Sequence, residues 1–185
     1  MWIFLATEIL FFGALFAAFF AYRLAHHEAF AAASKHLDVF LGTLNTAVLL
    51  TSSLSMAAAV HAEEKGRRRL AALLLGATAV LGAAFLSIKG LEWSREIGEG
   101  LWPGPGGTGA AGPERLFFAL YFCMTGAHAL HMLIGMAFVL GIAARAWRLS
   151  PTLSPMAVEA LGLYWHFVDI VWIWLFPVLY LLGRS

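Results

Sequence analysis

The stretch "WIFLATEILFFGALFAAFFAY", residues 2–22, decides the fold. Apart from Glu8 it carries no charged residue. A helix needs roughly 20 apolar residues to cross a bilayer, and this run supplies them. Arg23 is the first basic residue. The run therefore lacks the basic leading region of a signal peptide and is read as a retained span. Glu8 then stands where a carboxylate is costly, and that cost makes it a candidate functional or packing group.

The rest of the chain is built the same way. Of 185 residues, 61% are hydrophobic and only 12% charged, with a mean hydropathy of +0.80. Soluble domains carry about 25% charged residues, so this chain cannot cover a water-facing surface. Four further apolar runs follow, at about 37–60, 70–93, 116–144 and 158–182. Lipid cannot satisfy free backbone groups, so spans must be helices or a closed barrel. The short alternating strands of a barrel are absent from the sequence. The expectation is an all-α transmembrane bundle of five membrane-spanning helices in one domain, 1–185.

The connections carry the remaining polarity. "RLAHHEAFAAASKHLD" is polar with partly helical character, whereas "GEGLWPGPGGTGAAGP", residues 98–113, holds seven glycines and cannot be regular helix. Lys65, Arg67, Arg68, Arg69, Arg145 and Arg148 lie on the side of the N-terminus. Arg23, Lys35, Arg95 and Arg184 lie on the other, with Lys89 and Arg115 near span ends. This bias favours an N-terminus inside and a C-terminus outside. A net charge of +1 implies no nucleic-acid partner. The single cysteine, Cys123, excludes an internal disulfide or a cysteine-held cluster.

Inside the spans, small residues (Gly42, Gly76, Ala79, Ala83) are expected at helix contacts, and Asn45, Thr51, Ser52 and Ser55 at hydrogen bonds. Lys89 and Glu92, three apart, are expected to pair at the interfacial end of the third span, beside Trp93. His128 and His131 share a helix face. Spacing places no third ligand beside them, so hydrogen bonds to other helices are expected rather than a metal. Glu159, His166 and Asp169 form a polar stripe expected to face the bundle, with Trp172, Trp174 and Phe176 toward lipid or a partner. Pro177 is expected to bend the last turns.

The stretches "WIFLATEILFF", "LNTAVLLTSS", "KGLEW", "TGAHALHMLIG" and "EALGLYWHFVDIVWIWLFPVLY" fall in order on all five spans. In these the chain resembles subunit III of the haem–copper terminal oxidases. The resemblance implies an accessory subunit of a proton-pumping oxygen reductase in a bacterial or archaeal cytoplasmic membrane. Such a subunit binds no haem or copper itself, since those lie on partner subunits. It flanks subunit I, with subunit II, small accessory subunits or a larger supercomplex as further partners, and it holds structural phospholipid. Many relatives have seven helices, with a lipid-filled cleft beside the first two. This chain is similar to the five-helix form, which lacks that arm.

Glu8 matches the family carboxyl that carbodiimides attack, linked there to proton uptake and turnover stability, with Thr7 where relatives have serine. Glu92, His128, His131, Glu159, His166 and Asp169 match positions whose role there is structural or lipid-related. "EILFF" favours a cytochrome c oxidase, while a quinol oxidase or a nitric oxide reductase-associated homologue is the alternative. An autonomous transporter or proton channel would need a polar path through Glu8, His131, His166 and Asp169, and no inverted repeat supports one.

Overall fold

A computed structural model describes residues 2–107, 109–148 and 155–183. Arg184, counted above, lies outside them. The helices are α1 (Trp2–Ala25), α2 (His27–Ser34), α3 (Val39–Glu64), α4 (Arg68–Gly98), α5 (Gly112–Trp147) and α6 (Pro155–Phe176). A π turn, Pro177–Leu181, completes α6. Among the described residues, five helices are long and apolar enough to cross a membrane, so the five-span bundle is met. α4 and α5 outrun their apolar stretches, reaching 31 and 36 residues. At 1.5 Å per residue these are about 46 and 54 Å long, beyond the roughly 30 Å of hydrocarbon. Hydropathy marks only the part that lipid touches, and the helices continue into charged ends.

Local chemistry fixes the turns. Asp38 caps α3, its carboxylate accepting from the amides of Phe40 and Leu41 at 2.9 and 3.2 Å. α3 and α4 both end on a left-handed glycine, Gly66 (φ 70°) and Gly100 (φ 78°). In each case the next amide reaches back to close the helix: Arg67 to the Ala62 carbonyl, Leu101 to the Glu96 carbonyl. Pro177 has no amide to donate, and the last turn widens so that the Leu182 amide bonds to the Pro177 carbonyl.

α3 packs on α4 and α6, and α5 packs on α4 and α6, so these four helices close a ring. α6 is its most covered member, with 56% of its apolar window buried against 11% for α1. Trp165 sits wholly buried near the centre. A Cβ on Gly82 would come within 3.1 Å of its ring, and one on Gly135 within 3.2 Å. These glycines, together with Gly42 beneath Phe176, let the aromatics of α6 enter the ring.

Two of the small residues expected at contacts are not there. A Cβ on Gly76 would meet nothing within 4 Å, and Ala83 is exposed. Trp172, expected toward lipid, is also corrected. It lies seven residues beyond Trp165 on the same face, is fully buried, and donates to the Thr46 hydroxyl at 3.0 Å. Trp174 does face outward.

α1 lies outside the ring, against α5 and α6. Phe19 meets Phe117 while Phe12 meets His131, so α1 runs antiparallel to α5. Phe4 meets Tyr164, Phe12 meets Phe167, and the Arg23 guanidinium donates to the Leu182 carbonyl, so it runs parallel to α6. α2 folds back over the far end, where Phe30 packs between Phe19 and Phe117.

Candidate functional site

Two polar constellations stand inside the spans. The first joins α1 to α5. His131 Nε2 lies 2.9 Å from Glu8 Oε2, and His131 Nδ1 lies 2.7 Å from the Ala127 carbonyl oxygen. A carbonyl can only accept, so Nδ1 carries a proton. The contact to Glu8 then needs a second proton, either on the carboxyl or on Nε2, because two lone pairs at this distance repel. In both arrangements the pair shares one proton and is net neutral. It is largely shielded, with side-chain exposures of 15% for His131 and 17% for Glu8. His131 lies near the middle of the fourth apolar span, so the Glu8 carboxyl stands near mid-span rather than at the edge of the hydrocarbon. Rings of Phe11 and Phe12 pack against His131 and wall off the pair.

The second constellation lies toward the opposite end, between α4, α5 and the π turn. Lys89 is buried, not interfacial as its position near the end of the third apolar run suggested. Its ammonium donates to Glu92 Oε2 at 3.0 Å, to the Tyr121 hydroxyl at 2.7 Å and to the Tyr180 hydroxyl at 2.6 Å. All three of its protons are thereby used. Tyr180 donates onward to Glu92 Oε1 at 2.6 Å, and Tyr121 to Glu96 Oε1 at 2.8 Å. Sequence reasoning found Lys89 and Glu92 but missed Glu96, Tyr121 and Tyr180. Glu96 was detectable, since 89, 92 and 96 lie on one helix face. The tyrosines were not, because the helix packing and the widened turn at Pro177 bring them in.

The other candidates scatter. His128 is fully buried against Phe85 and Trp172, and neither ring nitrogen has a hydrogen-bond partner among the described residues. It points away from His131 and does not join the hydrogen bonding expected of it. His166 Nδ1 lies 2.7 Å from the Ser53 hydroxyl of α3. Asp169 is buried on the same helix face, beside Ser53 but without a partner of hydrogen-bond geometry among the described residues. Glu159, expected in that stripe, is exposed, because its neighbour Val158 takes the buried face of the first turns, packed with Ala72 and Ala146.

Of the expected polar residues of α3, Ser52 accepts from Trp165 at 3.0 Å and Ser55 donates to the Leu74 carbonyl at 2.8 Å. Thr51 bonds back to Ala47, and Asn45 is buried without a partner among the described residues. Among the described residues, no group of three or more histidine, cysteine, aspartate or glutamate side chains could hold a metal ion.

Fold and site together define a multi-pass helical membrane protein with a hydrogen-bonded polar interior. The chain matches the family described as cytochrome c oxidase subunit III over residues 1–184, and it belongs to that family. It is 34% identical over 187 residues to the cytochrome bo(3) ubiquinol oxidase subunit 3 of Pseudomonas aeruginosa, covering 98% of this chain and 83% of that one. It is 33% identical over 184 residues to the cytochrome c oxidase subunit 3 of Thermostichus vulcanus, covering 98% and 85%. With the quinol oxidase subunit 3 of Bacillus subtilis it shares 33% over 185 residues, again 98% and 85%. The chain is an accessory, non-redox subunit of a respiratory haem–copper or quinol oxidase, a complex of bacterial inner-membrane type.

Proposed function

We propose that this chain, as one domain over 1–185, flanks subunit I of an oxygen-reducing oxidase, with its N-terminus inside and its C-terminus outside. Haem and copper sit on subunits I and II, and this chain supports turnover from the side. The observation that carries the reading is the Glu8–His131 pair: a carboxyl near mid-span, held by one proton shared with the neighbouring helix. A proton held there at no net charge suits a group that steadies proton uptake next door without forming an obligatory path. The buried groups His128, Asp169 and Glu92 and the half-buried His166 serve packing and subunit association. Lipid occupies the apolar groove between α1 and α6, a cavity of about 290 Å³ lined by Phe12, Phe16, Phe167 and Trp174.

The test is the Glu8→Gln oxidase. It is expected to assemble normally but to inactivate sooner during turnover, or to take up protons at a changed rate. Lifetime and rates equal to the parent would defeat the reading.

Cytochrome c is the donor that the "EILFF" stretch favours. Quinol is a second reading, favoured by the likeness to the ubiquinol oxidase subunit of Pseudomonas aeruginosa. Purification of the native complex decides between them: a copper-binding subunit II that accepts electrons from cytochrome c supports the first.

A further inference from the structure

Beside the Lys89 network lies a pocket of about 150 Å³ lined by His36, Asp38, Leu41, Glu92, Arg95, Glu96 and Glu99. Its charges do not balance. Lys89 is spent on Glu92 and on two tyrosines. Glu96 is 4% exposed, its Oε1 accepts from Tyr121, and its Oε2 is buried with no hydrogen-bond partner among the described residues. Asp38 already caps α3. The exposed Glu99 adds a further carboxylate at the mouth. A buried carboxylate oxygen without a donor is costly, and a charge-assisted donor would relieve it.

We propose that this pocket binds the primary ammonium of an ethanolamine-type phospholipid headgroup, with Glu96 as its principal acceptor. Three observations favour this occupant. The pocket lies where α3 begins and α4 ends, so it opens at headgroup level, on the face opposite the N-terminus. It carries both signs: carboxylates for the ammonium, Arg95 and His36 for the phosphate. Beside it the exposed Phe40, Leu44 and Leu91 offer an apolar flank for the acyl chains. A bare metal ion fits less well, because no three ligating side chains converge among the described residues. The proposal deepens the lipid-holding part of the function above. It rests on the chain's place in a bilayer and is independent of the electron donor and of Glu8.

The experiment uses the intact oxidase in vesicles containing either phosphatidylethanolamine or phosphatidylcholine. A carbodiimide joins a carboxylate to an adjacent primary amine as an amide, with the oxygen leaving as the urea. Mass spectrometry of the digested subunit is expected to find the headgroup amide on Glu96 in phosphatidylethanolamine vesicles and none in phosphatidylcholine. Glu96→Gln, which keeps an acceptor for Tyr121, removes that adduct. It is also expected to lower the retention of phosphatidylethanolamine over phosphatidylcholine after detergent washing by about tenfold. Glu99→Gln, at the exposed mouth, lowers retention less.

No adduct at Glu96, an adduct between Glu96 and a lysine of another subunit, or equal retention by the Glu96→Gln complex would overturn the proposal. Co-purification of the catalytic subunit, measured in parallel, reports separately on the accessory-subunit reading.

Discussion

The ring α3–α6 and the outlying α1 solve the problem of buried polarity in opposite ways. In the ring, one cation is surrounded: every proton of Lys89 has an acceptor, and three elements share the contacts. On α1, one carboxyl reaches one imidazole, and phenylalanines supply much of the remaining attachment. The ring spreads its polar contacts over many groups, so they lock geometry. α1 has one such pair within its span, and only the Arg23 guanidinium on the Leu182 carbonyl joins it at the far end, so its seating depends on few residues. A helix held this way can be released without dismantling what it leans on.

The comparison is broken most severely at Lys89. Lys89→Met leaves Glu92 buried without its cation and is expected to cost about 3–5 kcal/mol. Thermal unfolding of the purified complex, with loss of this subunit, measures it. A variant as stable as the parent would mean that the network is not what holds the ring. His131→Leu tests the other side. It strands the Glu8 carboxyl at an expected cost of about 1–3 kcal/mol. Hydrogen exchange should rise along α1 while α3–α6 keep their protection. Exchange rising equally in both regions would erase the distinction.

His166→Leu removes the imidazole partner of the Ser53 hydroxyl, leaving Asp169 beside it, and is expected to cost about 1 kcal/mol, read as weaker co-purification with the catalytic subunit. Smallest is Gly76→Ala, where a methyl meets nothing within 4 Å. It should stabilise α4 by about 0.5 kcal/mol through helix propensity, and a loss of stability would reveal a contact with another subunit.

The two regions were not equally legible in the sequence. Apolar run lengths revealed five spans because lipid imposes them residue by residue. Helix periodicity paired Lys89 with Glu92, since both lie on one helix. It also grouped His128 with His131 and Glu159 with His166, and there it misled. Sharing a helix face does not fix which neighbour lies opposite. His131 turns to α1, His128 to Phe85 and Trp172, and Glu159 to the outside. Partners from distant helices, such as Glu8 with His131 or Tyr180 with Lys89, depend on how the ring closes and on the widened turn at Pro177. No local pattern encodes the first, and Pro177 signals a bend without showing which side chains it brings inward.

The shared proton of Glu8 and His131 also has an electrical consequence. A lone carboxylate inside the bilayer would feel the membrane potential, which acts on a full elementary charge with about 2.3 kcal/mol per 100 mV across the whole thickness. The pair carries zero net charge whichever partner holds the proton. Voltage therefore exerts no net pull on α1 through this pair. It can tilt the proton only across the short gap between Oε2 and Nε2. An energised membrane leaves this contact undisturbed, whereas a lone Glu8 carboxylate, without its histidine, would add a voltage-dependent pull on α1.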